Sequence, residues 1–249
     1  MLQPLIALLY AGTQQSAHFS AASSGMFLLI IAIGIAGYIV QARLQSVFKK
    51  YSKVQFPGGL TGAQVAEKML RENNIHNVKV THVAGHLTDH FNPQTMTVNL
   101  SDSVYNSTSV AAAAVAAHEC GHAVQHARDY APLTLRSQLV PVVQFASSAA
   151  TWVILLGLVL LATTRNELVC WIGVALIAMS ALFSLITLPV EYNASARALE
   201  WLESSTMQGA QLVQAREALT WAARTYLVAA LGAIASVLYY VFLILGRRD

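Results

Sequence analysis

The sequence predicts a mainly α membrane protein, with about four transmembrane helices and a small membrane-proximal α+β segment. Three observations carry that prediction. First, 55% of its 249 residues are hydrophobic and only 11% are charged, where soluble domains carry about 25% charged residues. Second, four stretches read as spans, Gly25–Val40, Val140–Thr163, Leu168–Leu188 and Tyr226–Leu245, against a requirement of about 20 apolar residues. Third, the segment between the first two spans alternates in polarity and then turns alanine-rich, which reads as strands followed by a helix.

Each element has its own signal. Leu2 to Tyr10 is apolar but too short to span; it lies at the interface or begins a longer first helix. No basic region precedes the first span and no clear small-residue cleavage site follows it, so it reads as a retained anchor. Phe48 to Phe56 is basic and aromatic; it lies along the membrane surface or is a plain linker. Pro57-Gly58-Gly59 breaks the chain. Thr61 caps a helix through about Asn73, with Val65, Ala66, Met69 and Leu70 at helical spacing. Asn77–Val83 and Thr95–Leu100 alternate like strands. They are expected to form a small antiparallel sheet, with the turn-rich stretch Gly85–Pro93 between them.

The run Ser109 to Gln125 follows as a helix, almost all alanine and valine up to Ala117. Leu133–Ser137 joins it to the second span. Small residues within Gln144–Thr151 allow close helix packing. Pro189 ends or kinks the third span, and Glu191 opens a fresh amphipathic helix to about Met207. A second helix follows, Ala210 to Thr225. The expected organisation is therefore 1–41 (tail and first span), 42–139 (soluble segment), 140–190 (transmembrane hairpin), 191–225 (helical segment) and 226–249 (last span).

Within the alanine-rich helix lies His118-Glu119-Cys120-Gly121-His122, which reads H-E-x-x-H. Histidines four apart share one helix face, where their rings can converge on one Zn²⁺. The glutamate after the first histidine can then act as base towards a water that the metal activates. The plain alternative is a surface helix with two solvated histidines. The apolar run argues against that, because two histidines and a glutamate are costly to bury without a partner. Cys120 points about 100° away from its neighbours around the helix and reads as a buried, unligated thiol. Gly121 leaves room for a strand or substrate to come close. His126 lies about 12 Å along the axis from His118, too far to share the metal, and reads as a supporting or structural histidine. Catalytic zinc usually takes three protein ligands. Glu191 is the candidate for the third, against an ordinary acid at a helix N-terminus; on spacing alone the two stand level.

The chain resembles the YugP-type integral-membrane neutral zinc metallopeptidases. The resemblance rests on Gly85 to Pro93, Leu100-Ser101 with Val104-Tyr105, Val115 to His126, Tyr130 to Leu133 with Leu135-Arg136-Ser137, and Glu191 to Ser195 with Arg197-Ala198-Leu199. More distantly it is similar to the HtpX and Ste24 gluzincin membrane peptidases. The resemblance implies a zincin-like catalytic segment with His118, His122 and Glu191 as zinc ligands and Glu119 as base. In the distant relatives an aspartate follows the ligand glutamate by four residues; Ser195 stands there in this chain and can only hydrogen-bond more weakly.

A mechanism follows as an expectation. Substrate binds as an added strand on a sheet edge beside the zinc, with Thr95–Leu100 as the expected edge. Asp89, His90 and Asn92 orient substrate or support the site, or else they satisfy a turn. Arg197 pairs with a carboxylate near the site, or else snorkels at the membrane edge. The expected cofactor is Zn²⁺. The expected partners are a peptide or membrane-protein substrate and the lipid bilayer. The net charge of +3 suits anionic lipid and gives no sign of nucleic acid. Nothing in the sequence sets the oligomeric state.

Topology follows from the cations. Nine lysines and arginines lie between Gln41 and Leu139 and three between Glu191 and Thr225, against Arg165 alone between the second and third spans. The catalytic face is therefore expected to be cytoplasmic, in a bacterial cell (inner) membrane. Arg247 and Arg248 oppose that orientation. Two cysteines, Cys120 and Cys170, make no disulfide framework. The leading function is a membrane-embedded zinc endopeptidase. The alternative is a non-enzymatic zinc-binding membrane protein, a sensor or assembly factor, which would have no need of Glu119. A transporter is disfavoured, since the four spans hold essentially no ionisable residues.

Overall fold

A computed structural model describes residues 3–205 and 207–246, with side chains described from residue 24 onward. Arg247 and Arg248, and Leu2 at the start of the apolar N-terminal run, lie outside the described residues. The elements in chain order are α1 (Gln3–Tyr51), α2 (Gly62–Glu72), β1 (Lys79–Val83), β2 (His90–Asn92), β3 (Thr97–Ser101), α3 (Asp102–Tyr105), α4 (Val110–Ala127), α5 (Ala131–Thr164), α6 (Leu168–Ser205) and α7 (Ala210–Leu245). Among the described residues, four helices, carried by α1, α5, α6 and α7, are long and apolar enough to cross a membrane.

The chain divides into two units. One comprises residues 1–37, 138–185 and 228–249. Its helices meet through small residues. A Cβ on Gly157 would stand 2.7 Å from the Cys170 backbone nitrogen, and one on Gly173 would stand 2.6 Å from Ile154. Ser147 and Ser180 hydrogen-bond across α5 and α6 at 2.8 Å, and Ala146 and Ala150 are buried. The small residues of 144–151 therefore serve helix packing.

The other unit comprises residues 38–137 and 186–227. Its core is built on α4, where Val110, Ala111, Ala112, Ala114, Ala116 and Ala117 are wholly buried. Such short side chains let neighbouring elements approach the helix axis. Ser109 caps α4 by accepting from the Ala112 amide at 3.2 Å. Thr61 caps α2 in a full capping box with Gln64.

Four expectations are corrected here. The stretch Phe48–Phe56 does not present its aromatic side chains to a membrane. Phe48, Tyr51 and Phe56 are buried in this unit's core, because α1 runs on to Tyr51 and turns its aromatic face inward. Second, β1 and β3 are parallel, not antiparallel. A third strand, β2, hides among the turn formers and takes the hairpin pairing with β3. The sheet order is β1-β3-β2, so the stretch expected as a substrate-binding edge is the central strand. Third, Pro189 does not end a helix, and Glu191 does not open a new one: α6 runs unbroken through Pro189. The proline removes one helical hydrogen bond. Packing offsets that loss, since Val190, Ala194, Ala198 and Leu202 form a wholly buried stripe at four-residue spacing. Fourth, Ala210–Thr225 is not a helix separate from the last span; it forms the first turns of α7, while Leu133–Ser137 joins α4 to the second span as part of α5.

Candidate metal centre

Three side chains from two helices converge. His118 and His122 project from α4, one turn apart, with ring centroids 4.9 Å from each other. Glu191 comes from α6 and is 2% exposed. One ligand atom from each of the three lies within 4.8 Å of the others. Glu191 Oε2 is 3.2 Å from His118 Nε2 and 3.5 Å from His122 Nε2. Gly121 makes this approach possible. A Cβ there would stand 2.5 Å from the Ala194 carbonyl oxygen, so the close neighbour is the backbone of α6 rather than a strand.

The rings are oriented from behind. Gln125 donates its amide hydrogens to the Val190 carbonyl at 2.8 Å and to Asn193 Oδ1 at 3.0 Å. Its oxygen is thereby turned to His122 Nδ1 at 3.0 Å. An amide oxygen only accepts, so Nδ1 is the donor of this bond, and Nε2 is the ring nitrogen turned towards Glu191. Ser195 Oγ lies 3.1 Å from His118 Nδ1 and holds the second ring from the same side. Two imidazole nitrogens and one carboxylate oxygen, aimed at a common point, are a donor set that suits zinc.

Glu119 leaves α4 towards the sheet. Its Oε2 accepts the Phe91 amide of β2 at 3.1 Å. Burial pushes its carboxyl up to about 7; His118 and the Phe91 amide pull it down, while Glu191 and Asp89 push it further up. Cys120 is buried with its thiol on the Ala66 carbonyl. Burial raises that thiol well above its ordinary range, as suits an inert packing group.

The remaining expected residues divide. Ser195 stands behind His118, as above. Asp89 accepts from the Ser101 amide at 2.7 Å and hydroxyl at 2.9 Å, tying the entry of β2 to the end of β3. His90 bonds the Thr88 carbonyl at 2.9 Å and Asn99 at 3.2 Å. Asn92 Oδ1 accepts from the amides of Gln94 and Thr95 at 2.9 and 3.3 Å, in an Asx turn. These three side chains are committed to the sheet and its hairpin. His126 is exposed and packs its ring beside Phe91, at 5.8 Å between centroids. Arg197 donates to Asn193 at 2.8 Å and pairs with no carboxylate among the described residues. It steadies the asparagine that holds Gln125.

The carboxylate-pairing arginine is instead Arg136, on α5, with Nη1 3.5 Å from Glu191 Oε1. Tyr226 on α7 is a further neighbour of this carboxylate. Sequence reasoning missed Arg136, Tyr226 and Gln125. Gln125 carried a usable signal: a polar side chain three residues after His122, on the same face of an otherwise apolar helix.

Comparison with known proteins agrees with this geometry. Residues 26–245 match the model of a family described as "putative neutral zinc metallopeptidase". The chain is 40% identical over 225 residues to the "Putative membrane protease YugP" of Bacillus subtilis (strain 168), an alignment covering 90% of this chain and 98% of that protein. No solved structure matches. With most of the chain matched, and a convergent His-His-Glu cluster suited to zinc in its structure, this protein belongs to the family of putative neutral zinc metallopeptidases.

Proposed function

We propose that the protein is a membrane-embedded zinc endopeptidase of gluzincin type, with His118, His122 and Glu191 as ligands and Glu119 as general base. The observation that carries this reading is the convergence of three donor atoms within 4.8 Å beside a buried carboxyl at His118+1. Zinc, when bound, supplies a Lewis acid that polarises a peptide carbonyl and makes water acidic enough to give up a proton. Glu119 takes that proton and returns it to the leaving amine.

Substrate binds as an added strand. The edge for it is β2, whose Phe91 amide already faces Glu119 and whose other side is filled by β3. Backbone hydrogen bonds then give affinity with little reading of sequence. Glu191 lies three residues beyond the apolar stretch Leu168–Leu188 on one continuous helix. Peptides or membrane-protein segments presented close to the bilayer are the substrates this favours. The lysines and arginines between α1 and α5 favour a cytoplasmic catalytic face, and the Bacillus relative favours a bacterial cell membrane.

The test uses full-length protein in detergent, with zinc per chain and cleavage of unfolded casein as readouts. Wild type is expected to hold about one zinc. Glu119→Gln is expected to keep the zinc and lose at least roughly 100-fold in rate. Undiminished hydrolysis by Glu119→Gln would sink its role as base. Zinc binding without hydrolysis of any unfolded or membrane substrate would favour a zinc-binding protein without enzymatic activity.

A further inference from the structure

We infer that Arg136 is the positioning residue of Glu191, and that it limits this carboxylate to one oxygen as a zinc ligand. The inference rests on the reading of Glu191 as a ligand and concerns how that ligand is held. A carboxylate can approach a metal through one oxygen or both. The two oxygens of Glu191 face different partners. Oε2 faces both histidine Nε2 atoms, at 3.2 and 3.5 Å. Oε1 faces the Arg136 guanidinium, at 3.5 Å. Arginine keeps its charge at every accessible pH, so the guanidinium is available to Oε1 whether or not a cation sits on Oε2.

The anchorage comes from outside the two ligand-bearing helices. Arg136 stands in the second turn of α5, while the histidines ride on α4 and Glu191 on α6. The Glu191 side chain is 2% exposed against 29% for Arg136. The carboxylate is therefore locked in place, while the guanidinium reaches it from a partly open side. Two histidines and a single carboxylate oxygen fill three positions, and a tetrahedral zinc then keeps one position for water. Two-oxygen ligation by Glu191 would fill that position. Arg136 thus protects the place that hydrolysis needs.

The experiment measures zinc affinity by competition with a chromogenic chelator, and the visible spectrum of the cobalt(II)-loaded protein. Wild type is expected to give the intense absorption of four-coordinate cobalt; a weak five- or six-coordinate spectrum in wild type would overturn the inference without any variant. Arg136→Gln is expected to lose roughly 10- to 100-fold in zinc affinity and to shift cobalt towards five-coordination. Arg136→Lys, which keeps the charge, is expected to restore the four-coordinate spectrum. Glu191→Ala separates the two levels of the argument. If it binds zinc like wild type, the ligand reading fails and this inference fails with it. If it loses zinc while Arg136→Gln keeps both affinity and spectrum, only the role of Arg136 falls.

Discussion

At the scale of single residues, the site depends on how closely α4 and α6 approach, and Gly121 sets that distance. Glycine inside a helix costs about 1 kcal/mol relative to alanine, so Gly121→Ala would stabilise α4 if nothing else changed. The Cβ, however, would stand 2.5 Å from the Ala194 carbonyl oxygen and 3.1 Å from its Cα. Backbone cannot rotate aside as a side-chain tip can, so α6 must shift. Overpacking of this kind costs roughly 1–3 kcal/mol and outweighs the gain in propensity. Gly121→Ala is therefore expected to lower the thermal midpoint and to weaken zinc binding, because Ala194 lies one turn from Glu191 on the displaced helix. An unchanged midpoint together with unchanged zinc affinity would show that the α4–α6 contact is looser than these distances imply.

At the scale of elements, the sheet decides where a peptide can lie. Each amide of a central strand points to a neighbour on one side or the other, whereas an edge strand leaves alternate amides open. With the order β1-β3-β2, the amides of Thr97 to Ser101 are all expected to be protected from hydrogen exchange, Ser101 by the Asp89 carboxylate. The edge β2 is expected to show protection at Phe91 through Glu119, lost on Glu119→Ala. Alternating protection along Thr97–Ser101 would instead match a two-stranded ribbon and would return β3 to the edge. The sequence reading took it for an edge for a physical reason. His90–Asn92 is only three residues long and lies between turn formers, so no period-2 signal can accumulate. The helix cap at Thr61 and the buried alanine run of α4 are legible in the sequence because their causes are local in the chain. The Arg136–Glu191 pair was not, since it joins side chains on separate helices, and only tertiary packing brings them together.

At the scale of the whole molecule, four helices long and apolar enough to span fix the relative sides of the connecting segments. Two of them, α5 and α6, separate the α4 histidines from the α6–α7 connection. Those two regions must share a side if Glu191 is to reach His118, as it does. Which side that is rests on charge. Nine lysines and arginines lie between Gln41 and Leu139, while Arg165 stands alone between α5 and α6. On the orientation proposed above, the positive-inside bias predicts Ser52 in the cytoplasm and Thr164 outside. Both residues are exposed, so Ser52→Cys and Thr164→Cys can report orientation with a membrane-impermeant maleimide. The native cysteines give little background, because Cys120 and Cys170 are each 0% exposed. Thr164→Cys is expected to label on intact cells, and Ser52→Cys only after permeabilisation. The reverse pattern would put the metal centre outside, where it would meet exported proteins rather than the cytoplasmic segments of membrane proteins.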